Sequence, residues 1–543
     1  MRVGDEVRID LHGRRVGGWV VELGVEPPPG VALRPIAKRR GRGPSRDLLD
    51  LAAWAAERWV GRPASLLRTA SPERAVPELP PARPSHRPEP SHPLLARAVE
   101  GPCSVLELPP ATNLVHVALA AASRGNALVL TPSAAMARTI AERLRREGVA
   151  VANHPRDWAT GAAGATVVGT RAAALAPVHD LACVAVLDEH DEAHQQEQAP
   201  TWHARDVAVE RARRAGVPCL LTSPCPTLEA IGCGELLEVD RARARSGWPS
   251  VEVVDRRSDD PRAGLYSDAL VRLLRSDRRV LCVLNRTGRA KLLTCTACGE
   301  VARCTRCDAA VHQPDDALQC PRCGAERPPV CSHCGATRFK QARIGVARAR
   351  DELEALVGEH VAELTAGSTD VPSARVVVGT EAVLQRVDQA DAVAFLDLDQ
   401  ELLAPRYRAV EQAFALVARA ARVVAASGPA SGRAAGHLLL QTRSPDHEVV
   451  QAAVRAEPHL VRDAERARRE LLRFPPVTAL ALVSGPAAPA FVESLGRPLG
   501  VDVVEDDGRW LVRAPDHETL SDALGRVPRP PGRLRLEVDP LRV

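Results

Sequence analysis

The sequence predicts a multidomain α/β protein with two consecutive parallel α/β lobes, a cysteine-rich insertion in the second lobe, and a small α+β domain at each end. Three observations support this prediction. With 543 residues the chain is too long to form one hydrophobic core. Short apolar strands alternate with helices from Leu94 onward, which is typical of parallel sheets. Eight cysteines fall in the forty residues from Cys295 to Cys334.

Residues 1–76 are predicted to form the first α+β domain. Two strand-like segments, Glu6–Asp10 and Gly17–Glu22, precede a loop rich in Gly, Arg and Pro. An amphipathic helix follows from Ser45 to Trp59, with its first residue as the expected N-cap. Residues 77–93 are crowded with proline and lack apolar periodicity, so we predict a linker there.

The two lobes are predicted to span residues 94–245 and 246–442, with residues 292–342 as the insertion. The strands expected in the first lobe are Ala127–Leu130, Thr166–Gly169, Cys183–Leu187 and Cys219–Thr222. The helices expected there are Ala134–Glu147 and Trp202–Ala215. The strands expected in the second lobe are Val280–Leu284, Arg375–Val378, Ala392–Leu396 and His437–Gln441. Residues 443–543 form a final α+β domain with a charged helix from Ala453 to Arg473.

The cysteines form four Cys-x-x-Cys knuckles, and each knuckle places two thiolates on one tight turn, which is half of a tetrahedral zinc shell. The eight ligands are Cys295, Cys298, Cys304, Cys307, Cys320, Cys323, Cys331 and Cys334. We therefore predict two zinc ions in closed, structural sites. Disulfides are the alternative; we expect reduced thiols, because the N-terminus lacks the apolar run of a signal peptide.

The spacing of the knuckles favours a nested pairing. Only five residues separate Cys298 from Cys304, whereas twelve separate Cys307 from Cys320. In the nested arrangement one zinc is bound by Cys304, Cys307, Cys320 and Cys323. The other zinc is bound by Cys295, Cys298, Cys331 and Cys334. Pairing of knuckles that are neighbours in sequence stays open as the alternative.

The distribution of charge says less about the function of the chain than the cysteine pattern does. The net charge of +4 does not by itself indicate a nucleic-acid binder. The basic runs are Lys38, Arg39, Arg40, Arg42 and Arg46; Arg241, Arg243 and Arg245; and Arg462, Arg466, Arg468 and Arg469. Lysine occurs at only three positions, Lys38, Lys291 and Lys340, so no lysine is available for a phosphate-binding loop in the first lobe.

An acidic pair, Asp188 and Glu189, follows the apolar strand of the first lobe. Superfamily 2 helicases place their magnesium-binding and water-orienting acids at this position. The tetrapeptide Asp191–His194 also spells a DEAH box, but it lies beyond the end of the strand, so we interpret it as a coincidence.

With the insertion included, the chain from residue 4 onward resembles the PriA family of replication restart proteins, also called primosomal protein N′. The matching segments are Val168–Arg171 with Ala176-Pro177, Trp202–Asp206, Leu221–Glu229, Leu284–Arg286 with Gly288, Asp397–Asp399, Pro405–Arg408 with Glu411, Gln441-Thr442 with Pro445–His447, and Arg473–Pro476. The resemblance implies two RecA-like helicase lobes and the nested zinc pairing.

The chain departs from the family where ATP chemistry is concerned. Leu108–Leu114, with two prolines and no glycine or lysine, replaces the family's GxTGSGKT loop. The last helicase motif keeps Arg419 and Arg422, but alanine replaces a glutamine and two glycines at Ala415, Ala418 and Ala421. Gln385–Asp388 replaces a further motif. We therefore expect the helicase lobes to be degenerate and not to use ATP, with Asp188 and Glu189 as remnants that cap a helix or pair with Arg205.

Two departures concern DNA. The family's N-terminal domain begins with a segment that binds the 3′ end of a nascent strand, and Met1 falls after it, so residues 1–76 resemble a truncated form. The family's winged-helix domain has no room in residues 77–93. The arginines and lysine expected to contact DNA phosphates in the insertion are Arg303, Arg306, Arg322, Arg327, Arg338 and Lys340.

The resemblance implies a cytoplasmic, nucleoid-associated replication restart protein that binds forked and recombination-derived DNA and promotes primosome assembly and reloading of the replicative helicase at stalled forks. The departures from the family imply that it does so without helicase activity. The expected partners are forked and single-stranded DNA, the replicative helicase and its loader, other primosome proteins, and single-stranded DNA-binding protein. Two alternatives are an active ATP-dependent 3′ to 5′ helicase and a primosome scaffold that does not bind DNA.

Overall fold

The structure is a computed structural model that describes the chain except residues 28, 31–32, 260–263, 286–292, 315–316, 342–345, 426–435, 507 and 543. The chain divides into two compact units. The first unit contains Met1–Glu107, Asn113–Glu238 and Phe474–Leu541, and the second contains Leu108–Thr112, Val239–Arg473 and Arg542–Val543. The motif residues Arg286 and Gly288 and the lysine Lys291 lie outside the described residues.

A small antiparallel sheet opens the first unit. Its strands are β1 (Glu6–Leu11), β2 (Arg14–Trp19) and β3 (Lys38–Gly41), in the order β2-β1-β3. The helices that follow are α1 (Arg46–Arg58), α2 (Pro63–Ala70) and α3 (Pro93–Ala98). Apolar residues of α1 and α2 are buried in the same core as the sheet of the first lobe. Ser45 occupies the N-cap position of α1, but its side chain makes no capping hydrogen bond.

The first lobe is a seven-stranded parallel sheet with the order β10-β4-β9-β8-β5-β7-β6. Its strands are β4 (Cys103–Glu107), β5 (Asn126–Leu130), β6 (Val151–Asn153), β7 (Thr166–Gly169), β8 (Leu181–Val186), β9 (Cys219–Ser223) and β10 (Glu235–Glu238). Its helices are α4 (Val115–Ser123), α5 (Ala134–Arg146), α6 (Trp158–Gly164), α7 (Ala204–Ala215) and α8 (Leu228–Ile231). The central strands are continuous apolar runs because helices can cover both faces of a parallel sheet.

The second unit has α9 (Arg241–Ser246) as its first helix. Its strands are β11 (Ser250–Asp255), β12 (Val280–Val283), β13 (Leu293–Cys295), β14 (Leu318–Gln319), β15 (Glu326–Arg327), β16 (Phe339–Gln341), β17 (Val361–Leu364), β18 (Val376–Gly379), β19 (Ala392–Phe395) and β20 (His437–Thr442). Six of them form a parallel sheet with the order β11-β20-β19-β12-β18-β17. The pairs β13-β16 and β14-β15 are antiparallel and belong to the cysteine-rich insertion.

The helices of the second unit include the helix that the sequence analysis placed at Ala453–Arg473. They are α10 (Asp268–Leu274), α11 (Val346–Val357), α12 (Ala382–Arg386), α13 (Asp399–Leu402), α14 (Ala409–Ala425), α15 (Glu448–Arg455) and α16 (His459–Leu472). The prediction of one continuous helix there was wrong, because the helix is interrupted between the end of α15 at Arg455 and the beginning of α16 at His459. Ala456 has a left-handed φ of 55°, and Pro458 has no amide to continue a helix.

A four-stranded antiparallel sheet completes the first unit, in the order β22-β23-β21-β24. Its elements are β21 (Ala479–Ser484), α17 (Ala488–Leu495), β22 (Asp502–Asp506), β23 (Arg509–Ala514), α18 (His517–Gly525) and β24 (Arg535–Val538). The predicted fold class is thus confirmed: two parallel α/β sheets, a cysteine-rich insertion and two small terminal sheets. The exact domain boundaries stay predictions. None of the helices in the described part of the chain is long and apolar enough to span a membrane.

Candidate metal centre and the acidic pair

A residue with positive φ follows the second cysteine in each of the four knuckles. In the third knuckle the Cys320 carbonyl accepts a hydrogen bond from the Gly324 amide at 2.9 Å, and the Cys320 amide donates to the Ala325 carbonyl at 2.9 Å. In the four knuckles this residue with positive φ is Gly299, Asp308, Gly324 and Gly335. Glycine is the usual residue for this conformation. A glycine directly after a Cys-x-x-Cys pair is therefore a sequence signal for the turn, and our spacing argument did not use it.

The structure brings the eight sulfurs into two groups of four, and within each group all sulfurs lie within 4.8 Å of one another. The outer group is Cys295, Cys298, Cys331 and Cys334. The inner group is Cys304, Cys307, Cys320 and Cys323. This is the nested arrangement. It follows from the antiparallel pairing of β13 with β16, which brings the first and last knuckles together across the insertion.

The geometry of both groups fits a four-coordinate metal ion. The Sγ atoms of Cys295 and Cys334 are 3.6 Å apart, and those of Cys307 and Cys320 are 3.5 Å apart. A tetrahedral shell with metal–sulfur bonds of about 2.3 Å has sulfur–sulfur edges of about 3.8 Å. All fourteen cysteines lie in the described part of the chain, and none of them is in a disulfide. Each group could therefore bind one metal ion.

In the inner group, the surroundings of Cys307 favour its thiolate over its thiol. A hydrogen bond from Cys320 lowers the pKa of the Cys307 thiol to about 5. The Arg322 charge also lowers this pKa. Because the thiolate is the form that binds metals, this environment prepares Cys307 for coordination.

Two of the arginines that we had expected to contact DNA, Arg322 and Arg303, attach the insertion to the rest of the second unit. Arg322 is only 8% exposed and donates to the carbonyls of Cys307 and Ala404, at 3.1 and 2.8 Å. Arg303 donates to the Ser444 hydroxyl at 2.7 Å, and Arg327 donates to the carbonyls of Val330 and Arg303. The expectation of a phosphate contact was wrong for Arg322, because its guanidinium is buried and binds the protein's own carbonyl oxygens. Arg303 and Arg327 also bind protein oxygens but are partly exposed, so a phosphate contact of these two stays a prediction. Three exposed cations remain: Arg306, Arg338 and Lys340.

The acidic pair lies in the turn that follows β8, and both side chains are buried. Glu189 accepts hydrogen bonds from the Thr227 amide at 2.8 Å and the Thr227 hydroxyl at 2.9 Å. The Arg205 guanidinium lies 3.3 Å from the second oxygen of Glu189. Burial raises the pKa of Glu189, and the Arg205 charge and the Thr227 hydrogen bonds act against that increase. Asp188 has a left-handed φ of 52°.

Arg205 also binds a second acid. Its Nε lies 2.8 Å from an oxygen of Asp206 on the same helix, and Arg58 lies 3.6 Å from the other oxygen. Burial alone would lower the pKa of Arg205, but the charges of Asp206 and Glu189 raise it above its ordinary value. Residues Asp191–His194 begin with an aspartate that caps a short 3₁₀ turn by accepting from the Ala193 amide at 2.9 Å.

The loop after β4 contains the segment that the sequence analysis compared with the family's phosphate-binding loop. Pro109 and Pro110 have no amide hydrogen. The Ala111 amide donates to the Gly247 carbonyl at 3.2 Å, and the Thr112 amide donates to the Pro109 carbonyl at 2.9 Å. The Arg422 Nε donates to the Pro110 carbonyl at 3.2 Å. Four consecutive positions of this loop therefore offer no unused amide for an anion.

No family model matches the chain. The chain is similar to curated replication restart proteins PriA from several bacteria. It is 28% identical to the Bacillus subtilis protein over 355 residues, which cover 59% of this chain and 43% of that protein. It is 30% identical to the Treponema pallidum protein over 356 residues, which cover 58% of this chain and 51% of that protein. For the Synechocystis protein the identity is 26% over 451 residues, 69% of this chain and 53% of that protein.

Among solved structures, yeast Dbp5 bound to RNA and ADP BeF3 aligns with a TM-score of 0.37 and 12% identity, covering 72% of this chain and 94% of that chain. The chain spans about half the length of the curated relatives it matches. These similarities to PriA proteins from several bacteria support the resemblance to the PriA family that the sequence motifs indicated.

Proposed function

We propose that this chain is a restart factor that binds forked and recombination-derived DNA and helps to reload the replicative helicase without hydrolysing ATP. The observation that carries the proposal is the loop after β4. Phosphate-binding loops hold the β and γ phosphates with free backbone amides and a lysine. Here two prolines lack amides, the next two amides are bonded to the protein, and no lysine is present.

The acidic pair supports the same proposal. Catalysis of phosphoryl transfer needs one acid to bind magnesium and another to orient water. Both Glu189 oxygens already accept hydrogen bonds from protein groups, among them Arg205 and Thr227. The residue in the water-orienting position is therefore committed to a structural network.

We assign zinc to both cysteine groups. Four thiolates in tetrahedral arrangement favour zinc over hard cations such as magnesium. With four protein ligands no coordination position is left for water or substrate, so each zinc would hold the insertion together rather than take part in a reaction.

The DNA-binding surface in this proposal is smaller than the sequence indicates. In the insertion, Arg306, Arg338 and Lys340 are exposed. In the N-terminal sheet, Arg8 and Lys38 are exposed and lie opposite each other on β1 and β3. Exposed cations bind phosphates with an affinity that falls as the salt concentration rises. Single-stranded DNA, single-stranded DNA-binding protein, the helicase loader and other primosome proteins are the partners that we propose by family likeness, in the cytoplasm at the nucleoid.

Fluorescence anisotropy tests the proposal. A fork with a nascent 3′ end and a duplex of equal length are compared at near-physiological salt, with phosphate release measured in parallel. We expect a preference for the fork and no DNA-stimulated phosphate release. Stimulated release that disappears in Asp188→Ala would show an active helicase instead. Equal or absent binding of both DNAs would favour a scaffold that does not bind DNA.

A triple variant, Arg306→Gln with Arg338→Gln and Lys340→Gln, locates the interface. We expect weaker binding and a salt slope reduced by about 2 to 3, because each lost phosphate contact removes about one counterion. Arg348→Gln is the matched control, since Arg348 is exposed on α11 but paired with Glu352 at 2.8 Å. An unchanged salt slope in the triple variant would exclude the insertion from the interface.

A further inference from the structure

A cavity of about 480 Å³ lies within the first unit, beside the beginning of α1. Small-molecule sites in proteins have volumes of about 300–1,000 Å³, apolar walls and a few polar groups. The apolar wall of this cavity includes Val3, Leu51, Leu79, Trp158, Val178 and Leu181. Its charged lining contains a buried arginine, so we call it the Arg211 cavity.

Arg211 has an unusual environment. Its side chain is 5% exposed, and one guanidinium nitrogen donates to the Ala174 carbonyl at 2.9 Å. Its Nε is buried without a partner, and the described residues give it no ion pair with a carboxylate. Burial lowers the pKa of Arg211 to about 10, although the Asp47 charge acts against that decrease. A buried charge without a counterion is costly unless an anion binds to it.

Two further donors line the same cavity. Arg42 has a buried Nε without a partner, and its guanidinium makes no ion pair among the described residues. Ser45 precedes α1, a helix of 13 residues, and its hydroxyl does not cap that helix. The amides of the first turn of a helix carry partial positive charge and bind anions. Arg42, Arg211 and the beginning of α1 therefore all favour a negative group.

The remaining charged groups of the cavity are mostly neutralised. Asp5 accepts from Arg39 at 2.7 Å, and Arg214 donates to Glu210 at 2.6 Å. Asp180 is 82% exposed, so water screens its charge. Arg42 and Arg211, which have no ion pair among the described residues, contribute two positive charges to the lining, and Asp47 contributes one negative charge. Apart from the solvent-exposed Asp180, the lining therefore has one excess positive charge.

We propose that the Arg211 cavity binds a small amphipathic monoanion. Its negative group, such as a carboxylate, would accept hydrogen bonds from Arg42, Arg211 and Ser45. Its apolar body would pack against Leu51, Val178 and the other apolar residues of the wall. This proposal does not depend on DNA binding or on metal content.

Isothermal titration of the full chain with octanoate tests the proposal, with octanol as the neutral ligand of the same length and inorganic phosphate as an anion without an apolar body. We expect octanoate to bind at least about tenfold more tightly than either control, because a charge-assisted hydrogen bond contributes enough for such a difference. Equal binding of octanol would show an apolar cavity without anion recognition and would overturn the proposal. Absence of octanoate binding, or tighter binding of phosphate, would also overturn it.

Variants place the ligand in the cavity. Arg211→Met and Arg42→Gln should each weaken octanoate binding about tenfold. Arg214→Gln is the matched control, since Arg214 lines the same cavity but is already paired, and it should change affinity less than twofold. If Arg211→Met fails to fold by circular dichroism, the less buried Arg42→Gln decides: unchanged affinity in that variant refutes the assignment.

Discussion

The guanidinium of Arg205 lies 3.3 Å from a carboxylate oxygen of Glu189, and the two side chains are 4% and 0% exposed. Arg205 comes from the first turn of α7 and Glu189 from the turn that follows β8, so the packing of α7 on the sheet brings the pair together. Thr227 connects them, because its hydroxyl donates to Glu189 at 2.9 Å and accepts from Arg205 at 3.1 Å. Glu189, whose place after an apolar strand the sequence analysis compared with that of a helicase acid, is thereby part of a closed structural network.

Arg205→Met should strongly destabilise the first unit, because it leaves the buried Glu189 without its counterion and leaves Asp206 with Arg58 alone. Breaking a buried pair in this way costs about 3–5 kcal/mol of unfolding free energy. Urea denaturation measures the loss. Arg213→Gln on the same helix removes an arginine that is 70% exposed, and it should cost less than about 1 kcal/mol.

The double variant Arg205→Met with Glu189→Gln measures the coupling free energy between these two side chains. We expect it to be more stable than the sum of the single variants predicts, by about 1 kcal/mol or more, since the unpaired carboxylate is gone. Strict additivity would mean that the two side chains do not stabilise each other.

Elemental analysis of the reduced, purified chain should find about two zinc ions per chain, one for each closed group of four thiolates. Cys304→Ser should remove one of them and make the region Arg303–Arg327 sensitive to protease, because the inner group holds its knuckles together. Cys233→Ser, a cysteine outside both groups, should keep both ions. A metal content near zero in the unmodified chain would refute the assignment.

Gly324→Ala should weaken metal binding by the inner group through the backbone alone. Gly324 has a φ of +70°, and an added Cβ would meet nothing within 4 Å. An alanine in this left-handed conformation costs about 1 kcal/mol, which is about fivefold in affinity. Competition with a chelator measures this effect. Gly525→Ala, at the end of α18 and equally open but without a positive φ, should leave metal affinity unchanged.

His154 should make the folded state less stable in mild acid. Its two ring nitrogens are buried without partners, and burial, with the Arg211 charge second, lowers its pKa from 6.5 to about 4. Between pH 6.5 and 4 the unfolded chain takes up a proton here that the folded chain does not. The unfolding free energy should therefore fall by up to about 3 kcal/mol as the pH decreases across this range.

Denaturation of the original chain and of His154→Gln from pH 8 to pH 4 checks this prediction. The difference between the two unfolding free energies should be constant above pH 7 and should change below it in favour of the variant. Parallel curves over the whole range would show that His154 titrates alike in the folded and unfolded chain.

The grouping of the cysteines and most of the secondary structure could be predicted from the sequence. The spacing of Cys298, Cys304, Cys307 and Cys320 favoured the nested grouping that the structure contains, because short chain segments limit which knuckles can meet. The alternation of apolar strands and helices predicted both parallel sheets. The break at Pro458 was missed, since charged residues of helical spacing continue on both sides of it.

The sequence could not predict which arginine side chains form hydrogen bonds within the protein and which stay exposed. From the sequence, Arg322 and Arg306 are equivalent basic residues of the insertion. In the structure Arg322 is buried against the Ala404 carbonyl, whereas Arg306 is exposed. The contact joins residues 82 positions apart in the chain, and no local pattern records it.

The sequence by itself determined which chemical groups this protein has: four pairs of thiols at spacings that suit two metal ions, and a loop after β4 without the lysine and glycines of a phosphate site. These features are local, because turn geometry and amide availability depend on neighbouring residues. Only the tertiary structure decided which groups are used internally: Glu189 bound to Arg205 and Thr227, Arg322 bound to the second lobe, and Arg211 left unpaired in a cavity. Burial and pairing of charges arise when distant segments pack, and packing sets both the dielectric environment and the available partners.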